Sequence, residues 1–390
     1  MTPTAADPAN KNIKTVLRWP VVGVALVVGL VGILALAGVL FRLATGVVPS
    51  AQDVDLPDPQ NRLRLPQDFG DHPEFLIEWR RVAGWLRDEV GRKFAFVIDF
   101  YRNDMPPRAS LFRRQLHKAN NRYCAELLLI DAHAGHAQHV TKFGTLQSDK
   151  PDDRGVIAFR LDDWSMTVGG LQMELDAAGD GNLLKLGLRP EKKPVLRGTG
   201  GYHWRGEDGV PTYFLGYSRL SAEGNFVADG KGGTVRGSAF LEHEFTSYRA
   251  GRETSGFDRL TIVLDNFHEM TLIRVRRADG GTSPDSPLSL VLPDGDVREL
   301  TQDEYQLQEQ GHWKSPDGKA TYPIAWKLVI PQYQAELELA APVAELEFVR
   351  RGGVERTWTG PLDVEGHWGD WRVRGEAMAE LSGYAKPGIF

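Results

Sequence analysis

From residue 75 onward, apolar residues come in short runs of alternating or β-branched character, each cut off by Gly, Asp or Asn. The clearest are 93–101, 123–131, 183–188, 213–219, 234–245, 259–264, 270–276, 324–330, 335–339 and 343–350. With no helical periodicity between them, such runs predict antiparallel strands closed into sandwiches or barrels. The one candidate helix, 111–120, is short. The 42 glycines and 23 prolines interrupt the 390-residue chain too often for a helical bundle. Two all-β units of about 150 residues suit the length better than one oversized barrel. They are expected over 67–235 and 236–390, although no clean linker divides them.

Residues 20–41 form an apolar run without a charge, against about 20 residues needed to cross a bilayer. Lys11, Lys14 and Arg18 precede it, and Asp53, Asp55 and Asp58 follow. The positive-inside rule then leaves 1–19 in the cytoplasm, 20–42 as a single-pass helix in the inner membrane, and the remainder in the periplasm. Ala35-Leu36-Ala37 offers a signal-peptide cleavage site and a secreted form, but the run exceeds the usual 7–15-residue signal core, which favours a retained anchor. The Pro-rich stretch 43–66 is expected to be an extended, mobile linker.

Formal charge is −6, from 46 basic and 52 acidic residues, so no nucleic-acid partner is expected. Cys124, the only cysteine, excludes an intrachain disulfide and lies in an apolar run as a core residue would. Walker, dinucleotide-binding and Gly-x-Ser-x-Gly motifs are absent, and no cofactor is called for. His133, His136 and His139 could converge on a metal only in a turn; solvated loop histidines are preferred, and no metal is expected. Arg108, Arg113, Arg114, Lys118 and Arg122 form a basic stretch that suits either a solvated face or contact with anionic headgroups.

The run Phe240-Leu241-Glu242-His243-Glu244-Phe245 is the most informative. Period-two alternation puts Glu242 and Glu244 on one face with Phe240, and His243 on the other with Leu241 and Phe245. A carboxylate face turned inward would be desolvated and would hold a proton as a general acid does; turned outward, it is merely solvated. Aromatics concentrate before this run, with Trp79, Trp85, Tyr202, Trp204, Tyr213 and Tyr217, and again at Trp358, Trp368 and Trp371. On barrel strands they either line an apolar cavity or fill the core.

A family resemblance rests on His72-Pro73-Glu74-Phe75-Leu76-Ile77-Glu78-Trp79, Gly84-Trp85-Leu86, Leu161-Asp162-Asp163-Trp164, Leu188-Arg189-Pro190, Gly200-Gly201-Tyr202, residues 213–220, residues 237–247, Gly256-Phe257-Asp258 and a closing Glu380-Leu381-Ser382-Gly383-Tyr384. In collinear order these resemble the carotenoid 1,2-hydratase and AttH-type lipocalin-like family over about residues 65–385. The resemblance implies two lipocalin-like antiparallel β-barrels and an apolar ligand. It also implies, by position, Glu242 as a proton donor, His243 or Glu244 orienting water, and Asp258 with Tyr217 in support. Trp79, Tyr202, Tyr213, Tyr217, Phe240, Phe245 and Phe257 would line the ligand site. The chain departs from the family pattern at Arg80, Phe240, Glu242, Phe245 and Arg259. Arginine at 80 or 259 would oppose a cationic intermediate wherever it faced the cavity.

The preferred reading is therefore a membrane-anchored, periplasm-facing lipocalin-like protein that binds an isoprenoid or lipidic molecule. The alternatives are a hydro-lyase adding water to an isoprenoid double bond, and an accessory subunit of a membrane transport complex.

Overall fold

The computed structural model describes residues 55–103, 122–203, 211–228, 230–248, 253–284, 286–350 and 355–385. The apolar run 20–41, the first part of the linker, the candidate helix at 111–120, the basic residues 108–118 and Trp204 lie outside them. Among the described residues no helix is long and apolar enough to cross a membrane.

Two antiparallel sheets follow one another along the chain. The first holds β1 (Ile77–Asp88), β2 (Lys93–Asn103), β3 (Arg122–Asp131), β4 (His136–Thr145), β5 (Gln147–Ser148), β6 (Ile157–Leu161), β7 (Trp164–Val168), β8 (Met173–Gly179), β9 (Asn182–Pro190), β10 (Val195–Leu196), β11 (Tyr202–His203), β12 (Thr212–Ala228) and β13 (Lys231–Thr246). The second holds β14 (Thr254–Leu264), β15 (Glu269–Arg277), β16 (Leu288–Val291), β17 (Val297–Leu300), β18 (Gln306–Lys314), β19 (Thr321–Ile330), β20 (Ala335–Ala340), β21 (Glu347–Arg350), β22 (Glu355–Trp368) and β23 (Trp371–Ser382). Each run singled out in the sequence falls on a strand, except that of 343–350 only Glu347–Arg350 is one. The change of sheet comes between Thr246 and Thr254, so a division at 235/236 would cut through β13, which stays whole in the first sheet.

The first sheet runs β4-β3-β2-β1-β13-β12-β9-β8-β7-β6-β5, and its two ends curl toward each other into a nearly closed barrel. At the seam, Lys142 on β4 pairs with Asp163 and lies 5.1 Å from the Trp164 ring centre. The second runs β17-β16-β15-β14-β23-β22-β20-β19-β18 and is a half-barrel, which corrects the expectation of a second complete barrel. It need not close because the back of the first sheet covers it. On β2, Phe94, Phe96, Ile98 and Phe100 enter the first core, while Ala95 and Val97 enter the second with Ala83, Trp85, Leu128, Ile130 and Phe240. Strands buried on both faces read as continuous apolar runs rather than as alternation. Trp85 ties the layers, its Nε1 donating to the Ala377 carbonyl at 3.1 Å.

Residues 55–76 form no strand and lie over one end of the barrel, so the later part of the expected mobile linker is docked. The Leu63 amide donates to Gly200 O (3.0 Å), and the Tyr213 hydroxyl donates to Asp58 O (3.0 Å). Gly216 on β12 sits opposite Glu242, where a Cβ would lie 2.1 Å from Leu241 O. Any side chain there would pry β12 from β13 beside the charged run.

Candidate functional site

Register settles which way the 240–245 strand points. Arg80 on β1 and Leu215 on β12 lie opposite His243; Arg81 and Gly216 lie opposite Glu242; Trp79 and Phe214 lie opposite Glu244. Residues paired across a ladder share a face. Arg80 and His243 therefore turn into the first barrel, and Glu242 and Glu244 turn toward the second sheet. Both faces are buried, so each side of the strand carries its own charged cluster.

Inside the barrel the centre is Glu78, with no exposed surface. It accepts hydrogen bonds from Arg80 Nη2, Arg102 Nη2 (2.9 Å), the Tyr123 hydroxyl (2.8 Å), His243 Nε2 (2.9 Å) and the His72 amide (3.1 Å). Burial alone would raise its pKa, but Arg80, His243 and His72 hold it well below the carboxylate range. His243 moves the other way: burial and the neighbouring Arg80 push it down to about 3, so the imidazole is neutral. Because Nε2 meets a carboxylate, it carries the hydrogen, and Nδ1 keeps a bare lone pair with no partner.

Arg80 is 1% exposed, lies 4.4 Å over the Phe159 ring, and gives Nη2 also to Gly70 O. Its Nε and Nη1 make no hydrogen bond, although Nη1 is 3.9 Å from Asp71 Oδ1. The Tyr123 hydroxyl reaches Asp71 Oδ1 (2.5 Å) as well as Glu78. One hydroxyl hydrogen cannot serve two carboxylates, and burial followed by the charge of Glu78 raises the Asp71 pKa. Asp71 is thus the carboxyl group of the cluster that its surroundings push toward the protonated form. At the lip, His72 stacks on Phe245 with centroids 3.7 Å apart and bonds Glu74 (2.9 Å) and Asp68 O (3.1 Å) through its two ring nitrogens.

The other cluster lies between the sheets. Asp99 takes Arg81 Nε and Nη2 (2.8 and 2.9 Å) and is bound by Arg350, whose Nε also reaches Glu126 (3.1 Å). Arg81 pairs again with Glu380 of β23. Arg259 of β14 bridges Glu242 and Glu244, the latter at 3.2 Å, with its guanidinium 5.6 Å from the Trp79 ring centre. Thr261 and Arg197 contact Glu242 at 3.3 and 3.5 Å. Arg197 Nε lacks a partner, and burial pushes that guanidinium down to about 10. Burial works to raise the Glu242 pKa, but Arg259, Arg197 and Arg81 outweigh it and keep the group a carboxylate. Glu242 is buried among guanidiniums, without the proton that a general acid must carry.

The expected site residues separate accordingly. Tyr213, Tyr217 and Phe245 are in the first core, Tyr202 packs on it, and His243 is beside them. Phe240 belongs to the second core, and Trp79, Glu242 and Glu244 face the interface. Phe257 is half-buried on β14, whereas Asp258 turns the opposite way from Arg259 and pairs with Arg274 Nε (2.7 Å) and Arg276 Nε (3.2 Å). His133 and His136 are exposed, and His139 is 3.5 Å from Glu126; no metal cluster forms among the described residues. Asp71, Arg102 and Tyr123 were missed. A lone charge in an apolar strand, such as Arg102 after Phe100-Tyr101, was the available signal.

The model of the AttH-like family matches residues 56–384. The chain belongs to the AttH-like family. The fold agrees with the crystal structure of an AttH-type protein from Nitrosomonas europaea: TM-score 0.72, 24% identity, 85% of this chain and 100% of that one. It also agrees with kievitone hydratase from Nectria haematococca: TM-score 0.63, 11% identity, 85% and 96%. No curated protein matches in sequence. This AttH-like chain thus shares a lipocalin-type architecture with a hydratase, and its own side chains carry any further reading.

Proposed function

We propose that this AttH-like protein is a membrane-tethered, periplasm-facing carrier whose first barrel takes up an apolar ligand of isoprenoid or lipid type. The supporting observation is the cover. Residues 55–76 close the barrel end without joining a sheet, through ring contacts, Phe69 stacked on Tyr217 (5.3 Å, 4°) and His72 on Phe245, together with scattered hydrogen bonds such as those from Arg102 to the His72 and Phe75 carbonyls. Aromatic pairs contribute about 0.5–1.5 kcal/mol beyond burial, and an apolar ligand can offer the same faces in exchange. The run 20–41 would hold the barrel beside the bilayer, where such a ligand concentrates. The test uses the full chain in phosphatidylcholine nanodiscs with tritiated geranylgeraniol. Saturable uptake above empty nanodiscs, weakened about tenfold by Tyr217→Ala, is expected. No saturable uptake by the wild type defeats the reading.

Hydration of an alkene is the second reading, favoured by one observation: Asp71, hydrogen-bonded to the Tyr123 hydroxyl and with its pKa raised by burial, lies at the end of a barrel that contains a neutral imidazole. Asp71 would donate its proton to the alkene carbon, water would add to the resulting cation, and the proton that this water releases on becoming the hydroxyl would return to the Asp71 carboxylate. Arg80 and Arg102 oppose that cation, which ranks this reading second. It expects oxygen-18 from labelled water in the product, lost in Asp71→Asn but retained in Glu242→Gln. Incorporation by Asp71→Asn would remove Asp71 from the role.

A further inference from the structure

We propose that a hydroxyl group of the apolar ligand sits between Arg80 and His243, so that the carried molecule is an alcohol. This rests on the carrier reading and narrows it. Arg80 and His243 are directly opposed on β1 and β13, both essentially without exposed surface, and both keep polar atoms without a hydrogen-bond partner. The unmet needs are of opposite kinds. Arg80 Nε and Nη1 carry hydrogens and require an acceptor. His243 Nδ1, with its ring hydrogen committed at Nε2 to Glu78, requires a donor.

A carboxylate, ketone or ether could satisfy Arg80 but has no hydrogen for Nδ1. An ammonium could serve Nδ1 but cannot accept from Arg80. A hydroxyl does both, its oxygen accepting from the guanidinium and its hydrogen going to the imidazole. The row across the barrel continues the match: Phe100 pairs with Arg80 on one side, Leu215 with His243 on the other, and Phe159 lies against the guanidinium. Polar needs at two opposed residues with apolar walls on either side suit one hydroxyl on a hydrocarbon body. Buried polar groups left unsatisfied are rare and costly, so something with this chemistry is needed there.

Water has the same donor and acceptor character, and the experiment separates the two sources. The full chain in nanodiscs is titrated with geranylgeraniol and with geranylgeranyl methyl ether, which keeps the oxygen acceptor but has no hydrogen to give. The alcohol is expected to bind about 10–100-fold more tightly. His243→Phe should remove that advantage by weakening the alcohol alone. Equal binding of the two by the wild type overturns the proposal and assigns the bare atoms to water, while the carrier reading stands. Absence of binding by both defeats the carrier reading and the proposal together. The wild-type comparison needs no substitution and decides the matter even if His243→Phe does not fold.

Discussion

Strands β1 and β13 carry charge into both of their buried faces, and the two faces handle it differently. Between the sheets, carboxylates and guanidiniums are shared: Asp99 by Arg81 and Arg350, Arg81 by Asp99 and Glu380, Arg259 by Glu242 and Glu244. The partners come from both sheets, so the network forms only when the half-barrel is docked in one register. Inside the barrel a single carboxylate, Glu78, collects Arg80, Arg102, Tyr123 and His243, and two of its donors are left with bare atoms. A cluster in which charges are shared holds a structure together. The interface cluster leaves one bare donor, Arg197 Nε, whereas the barrel cluster leaves donors on Arg80 and an acceptor on His243 at directly opposed positions, and the proposed ligand hydroxyl rests on that pairing.

The sharpest way to break this contrast is to remove one guanidinium from each side. Arg259→Met leaves Glu242 and Glu244 buried with their shared partner gone and is expected to lose about 3–5 kcal/mol in urea unfolding of the full chain. Arg80→Met leaves Glu78 with four remaining donors, Arg102, Tyr123, His243 and the His72 amide, and should cost less than half as much. The reverse order would make the barrel cluster the structural one.

Next in size is a pH dependence confined to the barrel. His243 titrates at about 3 when folded and near 6.5 when unfolded, so below pH 6.5 the unfolded chain takes up a proton that the native one refuses. Its contribution is full above pH 6.5 and is lost as pH falls, at up to about 1.4 kcal/mol per pH unit. His72 runs the other way. Burial would lower its pKa, but the Glu74 contact and Glu78 raise it above 6.5. Its stabilisation is complete below 6.5 and disappears as pH rises through the folded value. Unfolding midpoints between pH 5 and 6.5 should therefore fall less with acid in His243→Leu than in the wild type, while His72→Gln should remove a loss of stability that the wild type shows as pH rises above 6.5. The same acid slope in His243→Leu as in the wild type would show that His243 is not the buried neutral group.

Smaller again is the tie that Trp85 makes between layers. Trp85→Phe keeps a ring beside Phe240 but removes the donor to Ala377 O, and should cost about 1–3 kcal/mol. No loss would mean that water reaches that carbonyl and the layers are less tightly closed than the ion network implies.

The strands were legible because their β-branched and aromatic residues, and the turn residues between them, carry local preferences; the run 93–101 became β2 with the same start. β1 escaped notice because Arg80, Arg81 and Arg87 interrupt its apolar pattern. Those charges are tolerated only through partners far along the chain, Arg81 with Glu380 and Arg87 with Glu376. The same distance hid the site. Alternation correctly separated His243 from Glu242 and Glu244, but two buried faces gave no inside or outside, and the choice lay with Arg259 and Arg80. Asp71 and Tyr123 are 52 positions apart and meet only because the cover lies across the barrel end.

The smallest expected effect tests whether burial, rather than pairing as such, separates these clusters. Arg87 and Glu376 join β1 to β23 across the same interface as Arg81 and Glu380, at 2.8 Å, but with side chains 45% and 25% exposed. Water screens such a pair, and holding two long side chains together costs entropy, so Arg87→Ala should lose less than about 1 kcal/mol, with most of that gone in 1 M salt. Glu376 then returns to solvent, which the buried Glu380 cannot do when Arg81 is removed. If Arg87→Ala instead cost as much as Arg259→Met, the rim would be as dry as the centre. The ion pairs would then stabilise the docked sheets by number, and the contrast between a shared interface and an unfinished barrel interior would lose its physical basis.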